Sequence, residues 1–214
     1  MIIAIDGPSA SGKSTTAKGV SQRLGFTHLD TGAMYRAVTF GVNTSSISLN
    51  NKNRMNDFLN SIDIHFDKKN EIWLNGKNVS SAIRTVDISS KVSLVSAKPE
   101  IRKKMVEIQR SIAGNHDCVL EGRDIGTVVF PNAKFKFYIV ADIMVRAQRR
   151  LEQINRNEKK ITLNEMIANI ENRDKLDSSR AHSPLKRAED ALVIDTSHLT
   201  IDEQINKIVE IVNQ

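Results

Sequence analysis

Residues 7–14 of this chain read Gly-Pro-Ser-Ala-Ser-Gly-Lys-Ser, a complete G-x-x-x-x-G-K-[ST] pattern near the start of the sequence. The pattern directly follows the apolar run Ile2–Ile5, so the sequence predicts a buried strand, a tight loop and then a helix. In that order the backbone N–H groups of the loop and the N-terminus of the helix converge on an anion. A Gly/Ser-rich turn without a ligand is the competing interpretation, and the strand–loop–helix context disfavours it. We therefore predict that the chain binds a nucleoside triphosphate.

Two residues of this loop have specific expected tasks. Lys13 is predicted to neutralise the β- and γ-phosphates, and the Ser14 hydroxyl is predicted to ligate Mg²⁺. The predicted triphosphate-binding residues of this segment are Gly7, Pro8, Ser9, Ala10, Ser11, Gly12, Lys13, Ser14 and Thr15.

The composition is that of an ordinary globular protein, with 40% hydrophobic and 26% charged residues. No apolar stretch approaches the roughly 20 residues of a membrane span, so we predict no membrane association. The single cysteine, Cys118, lies in an apolar stretch and is expected to be a reduced core residue, which favours the cytoplasm.

The net charge of +6 is concentrated in residues 134–187, which hold 13 Lys/Arg and 7 Asp/Glu. Two sets of residues in that segment each share a predicted helical face, namely Arg146, Arg149 and Arg150, and Arg173, Asp177 and Arg180. Basic residues mixed with an acid on one face favour a small polyphosphate site over a nucleic-acid groove. We therefore predict no nucleic-acid partner.

Apolar runs alternate with helical patterns, which predicts an α/β, three-layer P-loop NTPase fold with a mainly parallel sheet flanked by helices. Strands are predicted at 2–5, 27–29, 117–121, 134–140 and 191–194. Helices are predicted at 13–24, 32–42, 52–60, 86–97, 99–113, 143–157, 163–180 and 201–212. Residues 62–85 instead alternate apolar and polar positions and contain the hairpin signal Asn75-Gly76, which predicts a small antiparallel β insertion.

Two further segments carry phosphate-binding chemistry. Thr31 lies at a predicted helix start and Arg36 follows about one turn later, an arrangement that can hold a second phosphate. The alternative is that Thr31 caps the helix and Arg36 lies on the surface. Arg123 and Asp124 follow the third predicted strand, where ligands bind in open α/β sheets. A structural salt bridge is the alternative for that pair.

The motif segments occur in a characteristic order along the whole chain. They are Ile5–Pro8 leading into the loop, Asp30–Arg36, Asn75–Ser80, Ile83–Thr85, Glu121–Pro131 and Arg173–Leu185. With these segments the chain resembles the bacterial-type cytidylate kinases, P-loop nucleoside monophosphate kinases that phosphorylate CMP and dCMP. The resemblance implies a kinase core at 1–42 and 86–214, with a lid at about 146–160, and an acceptor-binding insertion at 43–85.

The resemblance also implies roles for individual residues. Arg36, Arg123 and Arg180 are expected to hold the acceptor α-phosphate, with Thr31 in the same acceptor set. Ser93, Arg102 and Asp124 are expected around the cytosine, and Arg173 and Asp177 near the sugar hydroxyls. Arg146, Arg149 and Arg150 are expected to bind ATP and to close over the transferring group. From residue patterns alone, Ser93 and Arg102 would be assigned to helical surface.

The expected reaction is in-line transfer of the ATP γ-phosphoryl to an oxygen of CMP or dCMP, giving CDP or dCDP and ADP. The acceptor oxygen is already anionic near neutral pH, so no general base is required and catalysis reduces to alignment and charge neutralisation. Lys13, Arg36, Arg123 and Arg180 are the expected catalytic residues, together with Mg²⁺. Because one chain carries the whole nucleotide site, we expect a monomer.

Three alternatives compete with this interpretation. A P-loop kinase that acts on UMP, AMP or a shikimate-type alcohol is the first, and an alcohol acceptor would require a carboxylate base such as Asp30. A GTP-dependent switch would require a guanine-binding Asn-Lys-x-Asp segment, which the sequence lacks. A nucleic-acid-binding module is disfavoured because aromatic residues make up only 5% of the chain.

Overall fold

A computed structural model of the chain describes residues 1–114, 116–154 and 161–214. Its strands are β1 Ile2–Asp6, β2 Thr27–Asp30, β3 Ile64–Phe66, β4 Ile72–Leu74, β5 Lys77–Asn78, β6 Cys118–Gly122, β7 Phe135–Val140 and β8 Leu192–Asp195. Its α-helices are α1 Lys13–Leu24, α2 Thr31–Thr44, α3 Lys52–Ser61, α4 Val86–Ser96, α5 Pro99–Ala113, α6 Ile143–Ile154, α7 Leu163–Ser178 and α8 Ile201–Val212. A 3-10 turn at Ala82–Arg84 and a π-helical turn at Ile125–Val129 complete the assignment.

The central sheet has the strand order β2-β6-β1-β7-β8. Strand β1 pairs in parallel with β6 and β7, and β7 pairs in parallel with β8. Consecutive residues Ile3 to Asp6 are all buried, so both faces of β1 are covered. The carboxyl ends of β1, β6 and β7 lie at the same edge of the sheet, and the phosphate-loop pattern leaves β1 at that edge.

Helices α1 and α8 pack against this sheet through one apolar cluster. Ala17 and Val20 of α1 meet Ile205 and Ile208 of α8 there, beside strand residues such as Phe137. The helices approach so closely that a Cβ on Gly19 would lie 2.1 Å from Ile205 Cδ1. This packing fixes the helix whose N-terminus closes the phosphate loop.

The prediction of an α/β fold with a mainly parallel sheet, flanking helices and a small antiparallel sheet is confirmed. The small sheet has the order β3-β4-β5, with antiparallel pairing and the turn at Asn75 and Gly76 between β4 and β5. Helix α7 ends at Ser178 and not at 180, and the Asp177 carbonyl in its last turn accepts the N–H of Leu185 from the following loop. The helix predicted at 143–157 is described as far as Ile154.

The chain divides into two compact units. The core unit comprises Met1–Leu29 and Asn115–Gln214, and the second unit comprises Asp30–Gly114. The second unit therefore includes helices on both sides of the predicted insertion at 43–85, and the assignment of 43–85 to acceptor binding stays a prediction. Residues 155–160 of the predicted lid lie outside the described residues.

Across the three described ranges, every helix is too short or too polar to cross a membrane.

Candidate active site

The loop Gly7–Ser14 connects β1 to α1, as the sequence predicts. A Cβ on Gly7 would lie 2.2 Å from the backbone oxygen of Ile139 in β7, so any larger residue would displace the strand or the loop. Gly12 has φ +97° in the left-handed region, where a side chain is disfavoured. Both glycines are therefore required by the backbone path of the loop.

Lys13 is the first residue of α1, and its side chain is buried with its Nζ 3.1 Å from the Pro8 carbonyl oxygen. The ammonium group thus folds back over the loop, at the positive end of the helix dipole. Ser14 and Thr15 follow on the exposed side of the same turn. This arrangement places a cation, a helix N-terminus and a hydroxyl together, the set that a polyphosphate with Mg²⁺ requires.

Glu121, in β6, lies beside this turn. Its buried carboxylate accepts a hydrogen bond from Ser14 Oγ and lies 3.1 Å from His28 Nε2. Burial alone raises the pKa of Glu121, but the His28 hydrogen bond and the charge of Lys13 outweigh it and hold the pKa below its ordinary value. Glu121 is therefore a carboxylate at neutral pH. Hydroxyl and carboxylate oxygens are ligands that suit Mg²⁺, so the Ser14–Glu121 pair fits the ion that the sequence predicts.

The backbone of Ser9 is held by two side chains from the helices α6 and α7. Its N–H donates to Asp174 Oδ1 at 2.9 Å, and its carbonyl accepts from Arg146 at 3.2 Å. Arg146 also forms an ion pair with Asp174. The predicted ATP-binding residue Arg146 is thus brought to the loop.

Arg149 reaches the other side of the loop through Thr196. Its guanidinium donates to Thr196 Oγ1 at 3.0 Å and to the Thr196 carbonyl at 2.7 Å. The fully buried Thr196 hydroxyl donates to the Ser11 carbonyl at 2.8 Å. Arg150, the third member of the predicted set, lies 3.1 Å from Gln153 Oε1 on its own helix. Arg146 and Arg149 therefore contact or approach the loop, whereas Arg150 is placed along α6.

Arg123, Asp177 and Arg180 form one buried ionic cluster in the core unit. Arg123 Nε donates to Asp177 Oδ2 at 2.9 Å, and Arg180 pairs with the other carboxylate oxygen. Burial raises the pKa of Asp177, but the charges of Arg123, Arg180 and Arg173 outweigh it and lower the pKa below its ordinary value. The structure thus brings together the predicted acceptor residues Arg123, Asp177 and Arg180, and the charge of Arg173 acts on the same carboxylate.

Asp6, the last residue of β1, holds the turn that follows Arg123 and Asp124. Its two carboxylate oxygens accept the N–H groups of Ile125 at 2.9 Å and Gly126 at 2.8 Å. Burial raises the pKa of Asp6 to about 6, against the opposing effect of these two hydrogen bonds. Asp124 itself is buried, at the start of the π-helical turn.

In the second unit, the start of α2 carries Thr31 and Arg36. Asp30 caps the helix by accepting the Ala33 N–H at 2.9 Å, so the capping role belongs to Asp30 and leaves the buried Thr31 hydroxyl for another partner. Arg36 is partly buried and donates to Ser89 Oγ at 2.6 Å. Arg36 is therefore held by α4 and does not lie free on the surface.

Ser93 of α4 and Arg102 of α5 are both buried, with 6% and 4% of their surfaces exposed. Arg102 donates to the Ser96 carbonyl at 3.2 Å, and its guanidinium lies 5.1 Å from the Tyr35 ring centroid. Residue patterns alone would place Ser93 and Arg102 on helical surface, and that assignment is wrong. The Arg102 guanidinium thus lies within cation–π distance of the Tyr35 ring.

Comparison with known proteins decides the family. The profile of the cytidylate kinase family matches residues 3–214. The chain belongs to the cytidylate kinase family. Cytidylate kinases of Cytophaga hutchinsonii and Lactobacillus gasseri are 47% and 44% identical to it, over 99% and 100% of this chain and 92% and 94% of theirs. The cytidylate kinase of Acholeplasma laidlawii is 41% identical over 98% of this chain and 94% of its own.

Solved structures share the fold of this cytidylate kinase family member at low identity. An uncharacterised protein from Eubacterium ventriosum has a TM-score of 0.58 at 11% identity and covers 100% of this chain and 99% of its own. The protein TT1252 from Thermus thermophilus has a TM-score of 0.50 at 14% identity, covering 100% and 96%. At these identities the likeness shows the fold alone.

Sequence reasoning missed several polar residues that support the loop of this cytidylate kinase family member. Glu121 and Asp174 lie in motif segments that received no role for them, and Thr196 lies in no motif segment. Glu121 is a carboxylate at the carboxyl end of a predicted buried strand, where ligands bind in open α/β sheets. Its position could therefore have indicated a role. Asp174 and Thr196 offered no local signal, because each contacts a loop more than 160 residues away in sequence.

Proposed function

We propose that this chain transfers the γ-phosphoryl group of ATP to CMP or dCMP, giving CDP or dCDP and ADP. The observation that carries the proposal is the match to cytidylate kinases over residues 3–214. The formed phosphate loop, with Lys13 folded over it at a helix N-terminus, supports a triphosphate donor. The family membership supports nucleotides as substrates on both sides of the reaction.

On the donor side, we propose that the loop residues Gly7–Thr15 hold the ATP phosphates. Ser14 and Glu121 would hold Mg²⁺, which supplies charge neutralisation on the phosphates when bound. Lys13 would offset the charge that develops between the β- and γ-phosphates. Arg146, Arg149 and Arg150 are proposed to bind ATP from α6, with Asp174 and Thr196 holding the first two in place.

On the acceptor side, roles are proposed for each unit separately. In the core unit, Arg123 and Arg180 would hold the acceptor phosphate, Asp124 the cytosine, and Arg173 and Asp177 the sugar. In the second unit, Thr31 and Arg36 would hold phosphate, and Ser93 and Arg102 would contact the base. Ion pairing through Asp177 and the Ser89 contact of Arg36 support these proposals, because both restrict a guanidinium to one direction before substrate binds.

The proposed chemistry needs no general base, since the attacking phosphate oxygen is anionic near neutral pH. The arginines and Lys13 lower the barrier by aligning two anionic groups that otherwise repel each other. The Asp30 carboxylate, which an alcohol kinase would use as its base, instead caps α2. This capping role supports a phosphate acceptor over an alcohol.

Selectivity for cytosine follows from hydrogen-bond polarity. In the core unit, the Asp124 carboxylate is an acceptor that complements the N4 amine donor of cytosine. In the second unit, the Ser93 hydroxyl can also accept from an amine, and the Arg102 guanidinium complements the cytosine acceptors. Uracil presents an acceptor at the same position and would face Asp124 with like polarity. A site built on such contacts can discriminate by a factor on the order of 10⁴.

Location and assembly are also proposed. The single cysteine, Cys118, is a buried thiol outside any disulfide, which supports the reducing cytoplasm. We propose a monomer that works without nucleic acid, because the loop, its magnesium ligands and its arginines all come from one chain.

The test is an ADP-release assay with ATP and Mg²⁺ and, in turn, CMP, dCMP, UMP, AMP and shikimate as acceptors. We expect turnover with CMP and dCMP far above the rest, and EDTA to stop it. Lys13→Ala should lower kcat by at least about 10²-fold, because an electrostatic stabiliser of the transferring group is removed. Lys18→Ala, an exposed lysine on the same helix, is the matched control and should retain turnover. A preference for UMP, AMP or shikimate, or normal turnover by Lys13→Ala, would overturn the proposal.

A further inference from the structure

Asp174, the Ser9 peptide and the Arg146 guanidinium each contact the other two, so the three groups form a closed network of polar contacts. We propose that Asp174 is a positioning residue for ATP, which holds the first half of the phosphate loop in its binding shape and aims Arg146 along it. The network of Ser9, Arg146 and Asp174 is called the Ser9 clamp below. This inference rests on the proposed function for its view of ATP as donor.

The two oxygens of Asp174 have different partners. Oδ1 accepts the Ser9 N–H at 2.9 Å, and Oδ2 pairs with Arg146 NH1. The same Arg146 nitrogen lies 3.2 Å from the Ser9 carbonyl oxygen, so both polar groups of one loop residue are engaged. The Asp174 and Arg146 side chains are only 18% and 12% exposed, so solvent competes weakly with these contacts.

A second observation points to the same part of the loop. Ala10, directly after Ser9, has φ +59°, in the left-handed region that an L-residue with a side chain rarely adopts. Its methyl group packs against the apolar cluster of Ala147, Met166 and Ile170, which joins α6 to α7. The same two helices that provide Arg146 and Asp174 thus also hold Ala10 in this conformation.

The clamp has a direct consequence for the loop's chemistry. The Ser9 N–H is engaged by a protein carboxylate, so Asp174 fixes the direction of the peptide that enters the phosphate-facing turn. An Arg146 without Asp174 would keep its charge but lose the contact that restricts its direction. ATP binding would then have to order the loop and the Arg146 side chain. The free-energy cost of that ordering lowers the affinity for ATP and leaves the affinity for the acceptor unchanged.

The experiment separates the contact of Asp174 with the Ser9 N–H from its contact with Arg146. ATP binding is measured without an acceptor. Asp174→Asn keeps an oxygen for the Ser9 N–H but presents an amide to Arg146, whereas Asp174→Ala removes both contacts. Affinity for ATP with Mg²⁺ is measured by calorimetry in the absence of CMP, and KM for CMP is measured at saturating ATP. Glu171→Gln, an exposed carboxylate on the same helix, is the matched control. Thermal melting verifies that each variant is folded.

We expect the dissociation constant of ATP to rise about tenfold in Asp174→Asn and further in Asp174→Ala, because a charged hydrogen bond is lost. KM for CMP should change less than about twofold, and Glu171→Gln should match the parent chain. In a chain that already carries Arg146→Gln, adding Asp174→Asn should change the affinity for ATP less than about twofold. The reason is that Asp174→Asn acts on ATP binding by releasing Arg146.

Three outcomes would overturn the inference: unchanged ATP affinity in Asp174→Asn, additive effects of the two substitutions, or equal losses for ATP and CMP. The calorimetric measurement needs no turnover. A parent chain that binds ATP but does not phosphorylate CMP would therefore contradict the proposed function and still test the clamp.

Discussion

Asp177 and Glu121 are buried carboxylates whose pKa values stay low because each has more than one favourable partner. Asp177 lies between two guanidinium groups, and Glu121 lies beside His28, Ser14 and Lys13. The hydration energy that a buried charge loses can exceed what one partner returns, so additional hydrogen bonds and ion pairs are needed to offset it. Here the clusters restrict the guanidinium groups of Arg123 and Arg180 and the hydroxyl of Ser14 to fixed directions within the folded chain.

Substitution of Asp177 by Asn tests this cluster through stability. We expect the free energy of unfolding to fall by about 3 kcal/mol at pH 7, because two buried guanidinium groups lose their counter-ion. Since the folded-state pKa lies below the ordinary 3.8, the ion-pair contribution is complete above pH 3.8 and is lost as the pH falls through the lower folded value. Urea unfolding of both chains from pH 7 down to pH 3 should show the difference shrinking below pH 3.8.

The control for that measurement is Asp202→Asn, because the Asp202 carboxylate is 82% exposed beside Arg23. Its effect should stay within about 1 kcal/mol at every pH, as for other surface pairs. A loss for Asp177→Asn that is small, or that does not vary with pH, would show that the cluster does not depend on the charge of Asp177.

At the scale of elements, the phosphate loop is held in place by the packing of α1 on α8. Thr16 donates to Gln204 Oε1 at 2.8 Å, and that oxygen lies 3.2 Å from a Cβ built on Gly12. One turn further along α1, Gly19 meets Ile205 with no space for a side chain. The helix–helix distance is thus set by a glycine, and the same distance positions the start of α1 beneath the loop.

Gly19→Ala should therefore destabilise the protein although alanine is the better helix former. Overpacking costs roughly 1–3 kcal/mol and the gain in helix propensity is about 1 kcal/mol, so we expect a net loss of about 1 kcal/mol. In an Ile205→Ala background the clash is absent, and the same Gly19→Ala change should stabilise by up to about 1 kcal/mol. Thermal and urea unfolding of the four chains measure this reversal of sign. The same sign in both backgrounds would contradict the packing argument.

At the scale of the whole molecule, the polar residues proposed for the site are distributed over two compact units, the core unit and the second unit. The core unit carries the phosphate loop, Glu121, the Ser9 clamp and the Asp177 cluster. The second unit carries Arg36, Ser93 and Arg102. The basic excess in residues 134–187 falls within the core unit, where carboxylates such as Asp174 and Asp177 pair with part of it.

One chain supplies every residue proposed for the donor site, so we expect the protein to work as a monomer. Light scattering in solution should give the mass of a single chain, 23.9 kDa, across a hundredfold range of concentration. Activity per molecule should not change on dilution. A dimer mass, or activity that falls on dilution, would show that a second copy contributes to the site.

Prediction from the sequence succeeded where the pattern is local. The loop, most element positions and the β4–β5 turn at Asn75-Gly76 follow from spacing, apolar periodicity and turn chemistry within a few residues. The end of α7 was predicted two residues late, and the Leu185 N–H, beyond the helix, bonds to the Asp177 carbonyl at 2.8 Å. The buried positions of Ser93 and Arg102 were also missed by pattern, since neither residue type is typical of a core.

The sequence by itself thus determined the α/β class, the triphosphate loop and the family to which the chain belongs. Only the tertiary structure decided which side chains hold the loop and aim its cations. Ser14 meets Glu121 across 107 residues, Ser9 meets Asp174 across 165, and Ser11 meets Thr196 across 185. Hydrogen bonds and ion pairs act over about 3 Å, so partners so distant in sequence are selected by sheet order and helix packing, which no local pattern contains.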